Sequence, residues 1–225
     1  MQPGALRPYE RALADRGPLG LVDGRGQLHT LAVHRWLGDL DAPDRSVGDH
    51  CVGQVLDIGC GPGRFTVGLP RRGIDALGID ISACAVAITA RRGGRAVTCD
   101  VFDPGVELLG PAAGWGTALL VDGNVGIGGD PVALLRRVGG LIRPGGHLIV
   151  ETAPGLPPGP GHPVVADLVV LDARFVDAAG IHPTRFPWAL VGPASLLRCA
   201  GAVGFSAVER WRSGGRDFVD LVRRS

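Results

Sequence analysis

The segment Val55-Leu56-Asp57-Ile58-Gly59-Cys60-Gly61-Pro62-Gly63-Arg64-Phe65 constrains the fold of this chain more than any other. A short apolar run ends in an acid, passes through glycines at alternate positions and leads into a helix-forming stretch. Glycine permits a tight turn and lets a ligand come close to the backbone. A helix starting behind such a turn leaves its first N–H groups without partners inside the helix, facing the crevice at the strand ends. Three alternate glycines after a buried strand therefore predict a binding turn, with a mere tight connection as the plainer alternative.

The surrounding chain repeats this rhythm. Residues 52–58 read as a buried strand and 64–72 as a helix. Strands follow at 75–79, 96–99, 117–121 and 147–151, with helices at 82–92 and 131–142. The turn Arg143-Pro144-Gly145-Gly146 precedes the 147–151 strand. Strands alternating with helices of this length imply crossover connections and a parallel sheet covered on both faces. Residues 1–50 read as one or two helices around the turn Asp23-Gly24-Arg25-Gly26, with Leu28, Leu31, Trp36 and Leu37 on an apolar helical face. Residues 153–163 form a proline/glycine linker that cannot lie in a central strand. Beyond it, 164–177 alternates as a strand, 193–202 reads as a helix, and 207–211 with 218–222 reads as a closing antiparallel hairpin.

Composition removes several chemistries. All 23 basic residues are arginine, and lysine is absent. A phosphate-binding P-loop, a Schiff-base enzyme and a protein kinase each depend on a lysine. A net charge of +1 argues against a strong electrostatic grip on nucleic acid. Arg71-Arg72, Arg91-Arg92 and Arg136-Arg137 read as solvated helix ends. No apolar run is long enough to span a bilayer, and Glu10 and Asp15 stand where a signal peptide would need an apolar core. The five cysteines, Cys51, Cys60, Cys84, Cys99 and Cys199, contain no C-x-x-C pair, which argues for reduced thiols, a cytoplasmic setting and no metal site. The length of 225 residues suits one domain with small insertions.

Two ligand classes use such a glycine turn. A dinucleotide site prefers G-x-G-x-x-G, with the pyrophosphate on the helix N-terminus. Here the third glycine comes one residue early, and Asp57 precedes the first. An anion there opposes a pyrophosphate and favours an ammonium or sulfonium, both of which S-adenosylmethionine carries. At this point the sequence resembles the class I S-adenosylmethionine-dependent methyltransferases, over roughly residues 52–151 and weakly beyond. Asp57, Gly59, Cys60, Gly61 and Gly63 match the family's first motif. Asp80, with Ile81 beside it, matches the acid that binds the ribose hydroxyls. Asp100 and Val101 match the acid and amide that read the adenine edge. Asp122-Gly123-Asn124 stands where the active-site motif lies. The resemblance implies a Rossmann-like, doubly wound, mostly parallel seven-stranded sheet with a C-terminal antiparallel hairpin. The methyltransferase domain would occupy 51–225, with 1–50 as a helical cap and about 152–190 as a substrate-covering insertion.

Plainer roles compete at several positions. Asp80 is also a candidate helix N-cap, in competition with Ser82. Asp100 could cap the following turn, and Asp57 could order the glycine loop without touching ligand. Arg64 reads more readily as a solvated helix residue than as a ligand contact. Asp122 and Asn124 are the candidates for positioning the methionyl end or the acceptor, and His34 is an outside candidate for a general base. His29 and His182 are weaker candidates still, and His147 lies at the wrong end of the sheet. Trp36, Phe186 and Trp188 read as core residues, or else as the lining of a substrate cover. Asp-Gly-Asn-Val lacks the prolines and aromatic of nucleobase-amine methylation. The implied acceptor is therefore a small molecule or short peptide attacked at O, N or S, by a monomer or homodimer. The competing readings are an NAD(P)-dependent oxidoreductase and a non-catalytic cofactor-binding regulator.

Overall fold

The computed structural model describes residues 5–112, 114–153 and 167–224. The elements run α1 (Arg7–Asp15), β1 (Leu19–Val22), β2 (Leu28–Leu31), α2 (Val33–Trp36), α3 (Ala42–Asp49), β3 (Val55–Ile58), α4 (Arg64–Gly68), β4 (Ala76–Asp80) and α5 (Ala83–Arg91). They continue β5 (Ala96–Thr98), β6 (Trp115–Leu120), α6 (Pro131–Leu141), β7 (Ile142–Thr152), β8 (Leu168–Asp177), β9 (Gly180–Val191), α7 (Pro193–Ala202), β10 (Phe205–Ser213) and β11 (Arg216–Arg223).

The main sheet has seven strands in the order β10-β11-β7-β6-β3-β4-β5. β3 pairs in parallel with β4 and β6, β4 with β5, and β6 with β7. β11 is antiparallel to β7, and β10 to β11. This is the doubly wound, mostly parallel sheet with a closing hairpin expected from the sequence. All four residues of β3 and all six of β6 are buried, as a sheet covered on both faces requires. Alternate residues divide between the faces. Leu56 and Ile58 pack with Val138 and Leu148 on one side, while Val55 packs with Phe65 and Phe218 on the other.

The chain order changes direction at β3, where the sheet grows first towards β5 and then towards β11. In open sheets, the crevice beyond the carboxyl ends of the strands at such a switch is where ligands bind.

The N-terminal segment is not wholly helical, contrary to expectation. β1 and β2 join β8 and β9 in a separate antiparallel sheet of four strands, in the order β2-β1-β8-β9. Leu28 and Leu31 belong to β2, while Trp36 sits on the one-turn helix α2. The tight turn read at residues 23–26 is present, with Asp23 accepting from the amides of Arg25 and Gln27 at 2.9 and 2.8 Å. Phe175, Phe186 and Leu21 of this sheet pack with Leu13 of α1 and Val33 of α2. The proline/glycine linker lies outside the described residues from position 154 onward, as do His162 and the first residues of the 164–177 stretch. Among the described residues, no helix is long and apolar enough to cross a membrane.

Candidate cofactor and acceptor site

The glycine turn takes its shape from backbone that only glycine adopts easily. Gly59, Gly61 and Gly63 have φ of 69°, 55° and 86°. Two of them are also crowded. A Cβ on Gly59 would stand 2.7 Å from Asn124 Nδ2, and one on Gly63 would stand 2.6 Å from Thr89. Gly59 and Gly61 line a cavity of about 330 Å³ at the carboxyl ends of β3, β4 and β6. Gly63 lies outside that lining. It is the N-cap of α4 and lets α5 approach closely through Thr89.

Of the other residues expected to hold the cofactor, Asp57, Cys60, Asp80, Ile81, Asp100, Val101 and Asp122 all line the same cavity. Asp80 closes β4. Its Oδ2 accepts from the Gly61 amide at 2.9 Å, and its Oδ1 accepts from the Ser82 amide at 2.8 Å. The N-cap of α5 is Ser82, which accepts from the Ala85 amide, so Asp80 is not needed as a cap. Each carboxylate oxygen retains a further lone pair. Asp100 accepts from the Phe102 amide at 3.0 Å while facing the opening, so the turn-ordering reading and the lining position coexist.

Asp57 is 2% exposed and accepts from Thr66 Oγ1 at 2.8 Å. Burial raises its pKa to about 7 against the opposing pull of Thr66 and Arg64. A carboxyl held there ionises most readily when a cation arrives.

Asp122 and Asn124 follow β6. Asp122 adopts a left-handed backbone, φ 56°, uncommon for any residue with a Cβ. Its amide donates to Glu151 Oε2 at 2.7 Å. Its carboxylate pairs with Arg35 Nη2 at 2.7 Å, with Arg64 Nη2, and with Arg216 Nη2 at 3.5 Å. Asn124 Nδ2 donates to the carbonyls of Ile58 and Gly59 at 2.8 and 3.0 Å. The Asn124 amide nitrogen clamps the glycine turn, and the Asp122 carboxylate anchors an ion network.

Arg64 is not a solvated helix residue. It is 3% exposed, pairs with Asp44 as well as Asp122, and lines the cavity. Its Nε is buried without a hydrogen-bond acceptor among the described residues. Such an orphaned cationic donor suits a carboxylate ligand. The burial of Arg64 could not be read from the sequence because its partners come from α3 and from the end of β6.

His34 does not reach this site. It is exposed on α2, whose single turn directs Trp36 into the cavity and Arg35 onto Asp122. His29 and His182 are also outside the lining; they stand 3.9 Å from Asp23 and 3.0 Å from Asp177. His147 pairs with Asp220 at 2.9 Å, away from the cavity. Trp36, Phe186 and Trp188 pack in the small sheet's apolar cluster, as core residues, and they also line the cavity.

Sequence reading missed Tyr9, the chain's one tyrosine. It lines the cavity from α1, with its hydroxyl 3.2 Å from where a Gly61 Cβ would be. Burial, then the charge of Asp80, pushes that hydroxyl well above its usual pKa.

A seven-stranded sheet in this order, with acids and a glycine turn gathered at the carboxyl ends of its strands, defines a class I methyltransferase fold. Residues 55–146 match a family model described as a methyltransferase domain. That match covers less than half of the chain, and it is residues 55–146 that are similar to this family. The chain is similar to a ubiquinone biosynthesis O-methyltransferase of Acinetobacter baumannii (strain ACICU), 29% identical over 102 residues, covering 44% of this chain and 43% of that one. The chain thus matches less than half the length of that curated relative.

Among solved structures, a methyltransferase from Bacteroides fragilis in complex with S-adenosyl-L-homocysteine superposes with a TM-score of 0.78 at 21% identity. That match covers 100% of this chain and 98% of that one. The sugar N-methyltransferase KedS8 from Streptoalloteichus superposes with a TM-score of 0.55 at 20% identity, covering 80% and 85%. These likenesses are likenesses of fold.

Proposed function

We propose that this protein transfers a methyl group from S-adenosylmethionine to an O, N or S nucleophile of a small molecule or short peptide. One observation carries the reading. Residues from four separate strand ends, 57–61, 80–81, 100–101 and 122 with 124, face a single cavity beside a buried arginine with an unused donor.

The residues fit the cofactor's chemistry. Asp80 would accept from the ribose hydroxyls and Asp100 from the adenine amine, beside the Val101 amide. Asp57 would face the cationic end, with Gly59, Cys60 and Gly61 presenting backbone. Arg64 would take the carboxylate through its orphaned Nε. When bound, the cofactor supplies an electrophilic methyl carbon on a leaving group that is already activated. The protein is then left to align the reactants and keep the site dry.

Asn124 serves this by holding the glycine turn in place, and Asp122 by fixing Arg35 and Arg64 beside it. His34 is not retained as a base. Residues 1–50 and about 152–190 would cover the acceptor, over a methyltransferase domain at 51–225. The free thiols are in keeping with the proposed cytoplasmic setting, and the proposed state is a monomer or homodimer.

Calorimetry against S-adenosylmethionine, S-adenosylhomocysteine and NAD(H) tests the reading. Binding of the two adenosyl compounds is expected. Binding of NAD(H) without either of them would favour the oxidoreductase alternative and overturn the proposal.

A further inference from the structure

The chain has four tryptophans, one tyrosine and six phenylalanines, and more than half of them line the cavity described above. The acceptor-facing side is formed by the small sheet and α2. There Leu21, Leu31, Trp36, Phe175, Phe186 and Trp188 converge. Phe175 and Phe186 stand 4.8 Å apart, and Phe186 meets Trp188 edge-on at 6.5 Å. Aromatic faces and edges in this arrangement hold a flat ring by stacking and edge contacts.

Several polar groups around the cavity are already held by the protein, and those with capacity left, Arg64 Nε and the Asp80 oxygens, belong to the cofactor side. Asp57 is held by Thr66, Asp80 by two amides, Asp100 by the Phe102 amide, and Asp122 by arginines. Asn124 spends its amide donors on two carbonyls. On the small sheet Arg185 pairs with Asp172 and His182 with Asp177, and these four side chains, like Arg174, lie outside the lining. A sugar or peptide brings many donors and acceptors, each costly to desolvate without a partner. A flat apolar body carries no such cost and gains from the area it buries.

We infer that the methyl acceptor is a flat, uncharged aromatic small molecule, bound against Trp36, Phe175, Phe186 and Trp188. This rests on the methyl-transfer reading and narrows its acceptor to one chemical class.

The test uses the full chain saturated with S-adenosylhomocysteine, whose own affinity is first measured by calorimetry. Ligand-observed NMR then compares 1-naphthol with glucosamine and with a neutral tripeptide. The expected result is binding of 1-naphthol alone, weakened about tenfold in Trp188→Ala and restored in Trp188→Phe. Leu31→Ala, at a half-buried position, supplies a second variant, and melting curves accompany both. Tighter binding of glucosamine or the tripeptide overturns the inference. Equal weakening of naphthol and S-adenosylhomocysteine in Trp188→Ala overturns the assignment of Trp188 to the acceptor side. If the adenosyl compound itself fails to bind, the methyl-transfer reading falls and takes this inference with it. If it binds and naphthol does not, this inference falls alone.

Discussion

Asp57 sits where its charge is discouraged, and this has consequences that depend on pH. The folded chain keeps its proton up to about pH 7, while an ordinary aspartate loses it near 3.8. Between these values the folded state binds more protons than the unfolded one. The contribution of Asp57 to stability is therefore full below pH 3.8 and is lost as pH rises through 7. Asp57→Asn should flatten the fall in melting temperature between pH 5 and pH 8, and a slope equal to that of the parent would remove Asp57 as its source. A cationic cofactor favours the ionised form, so binding should release protons near pH 7. Calorimetry in phosphate and in Tris, whose ionisation heats differ, would then give different apparent enthalpies; equal heats would separate Asp57 from the cation. Asp80→Ala should weaken cofactor binding by a factor of about ten or more, the loss expected for hydrogen bonds to a charged acceptor. Unchanged affinity with an intact melting curve would take Asp80 out of the site.

At the scale of elements, one buried arginine ties four of them together. Arg216, at the start of β11, donates to Asp44 of α3 at 2.6 Å and to Glu151 of β7 at 2.8 and 2.7 Å, and it reaches Asp122 beyond β6. Burial alone would raise the Glu151 carboxyl, but Arg216 brings it below its usual value. Replacing Arg216 with Met leaves the buried Glu151 without its cation and Asp44 with Arg64 alone, which costs about 3–5 kcal/mol. The melting temperature should fall by roughly 10 °C, and Arg216→Met with Glu151→Leu should recover part of the loss. A drop of only a degree or two would show that the network is dispensable.

The parallel part of the main sheet was legible in the sequence because each strand is a short apolar run bounded by turn residues. β9 was not, since Pro183 and Pro187 argue against a strand. It forms nonetheless at an edge of the small sheet, where the missing N–H groups are tolerated. β1 is four residues long and wholly buried, so it lacks the alternation that marks a half-exposed strand. The acids that line the cavity were legible because they stand at or just beyond strand ends. Tyr9, Arg35 and Arg64 were not, because what makes them matter is contact across long sequence separations.

At the scale of the molecule, the cavity is closed by two sheets that belong to different parts of the chain. The strand ends supply one wall, and α1, α2 and the small sheet supply the other. A ligand between these walls should stabilise both together. S-adenosylhomocysteine at a hundred times its Kd should add about 2.7 kcal/mol of stability and raise the melting temperature by roughly 5–10 °C. Hydrogen exchange should slow in α1 and in β4 alike. Protection confined to the main sheet would show that the N-terminal segment does not close over the cofactor.

Asn124 is the chain's one asparagine, so this protein has a single position open to asparagine deamidation. There the chemistry of ageing would strike a hinge-pin. The amide that now donates to the carbonyls of Ile58 and Gly59 would become a carboxylate facing two oxygens, with repulsion where there had been a clamp. An old preparation should therefore lose cofactor affinity by one discrete modification, visible as a mass gain of about one dalton, before it loses its fold.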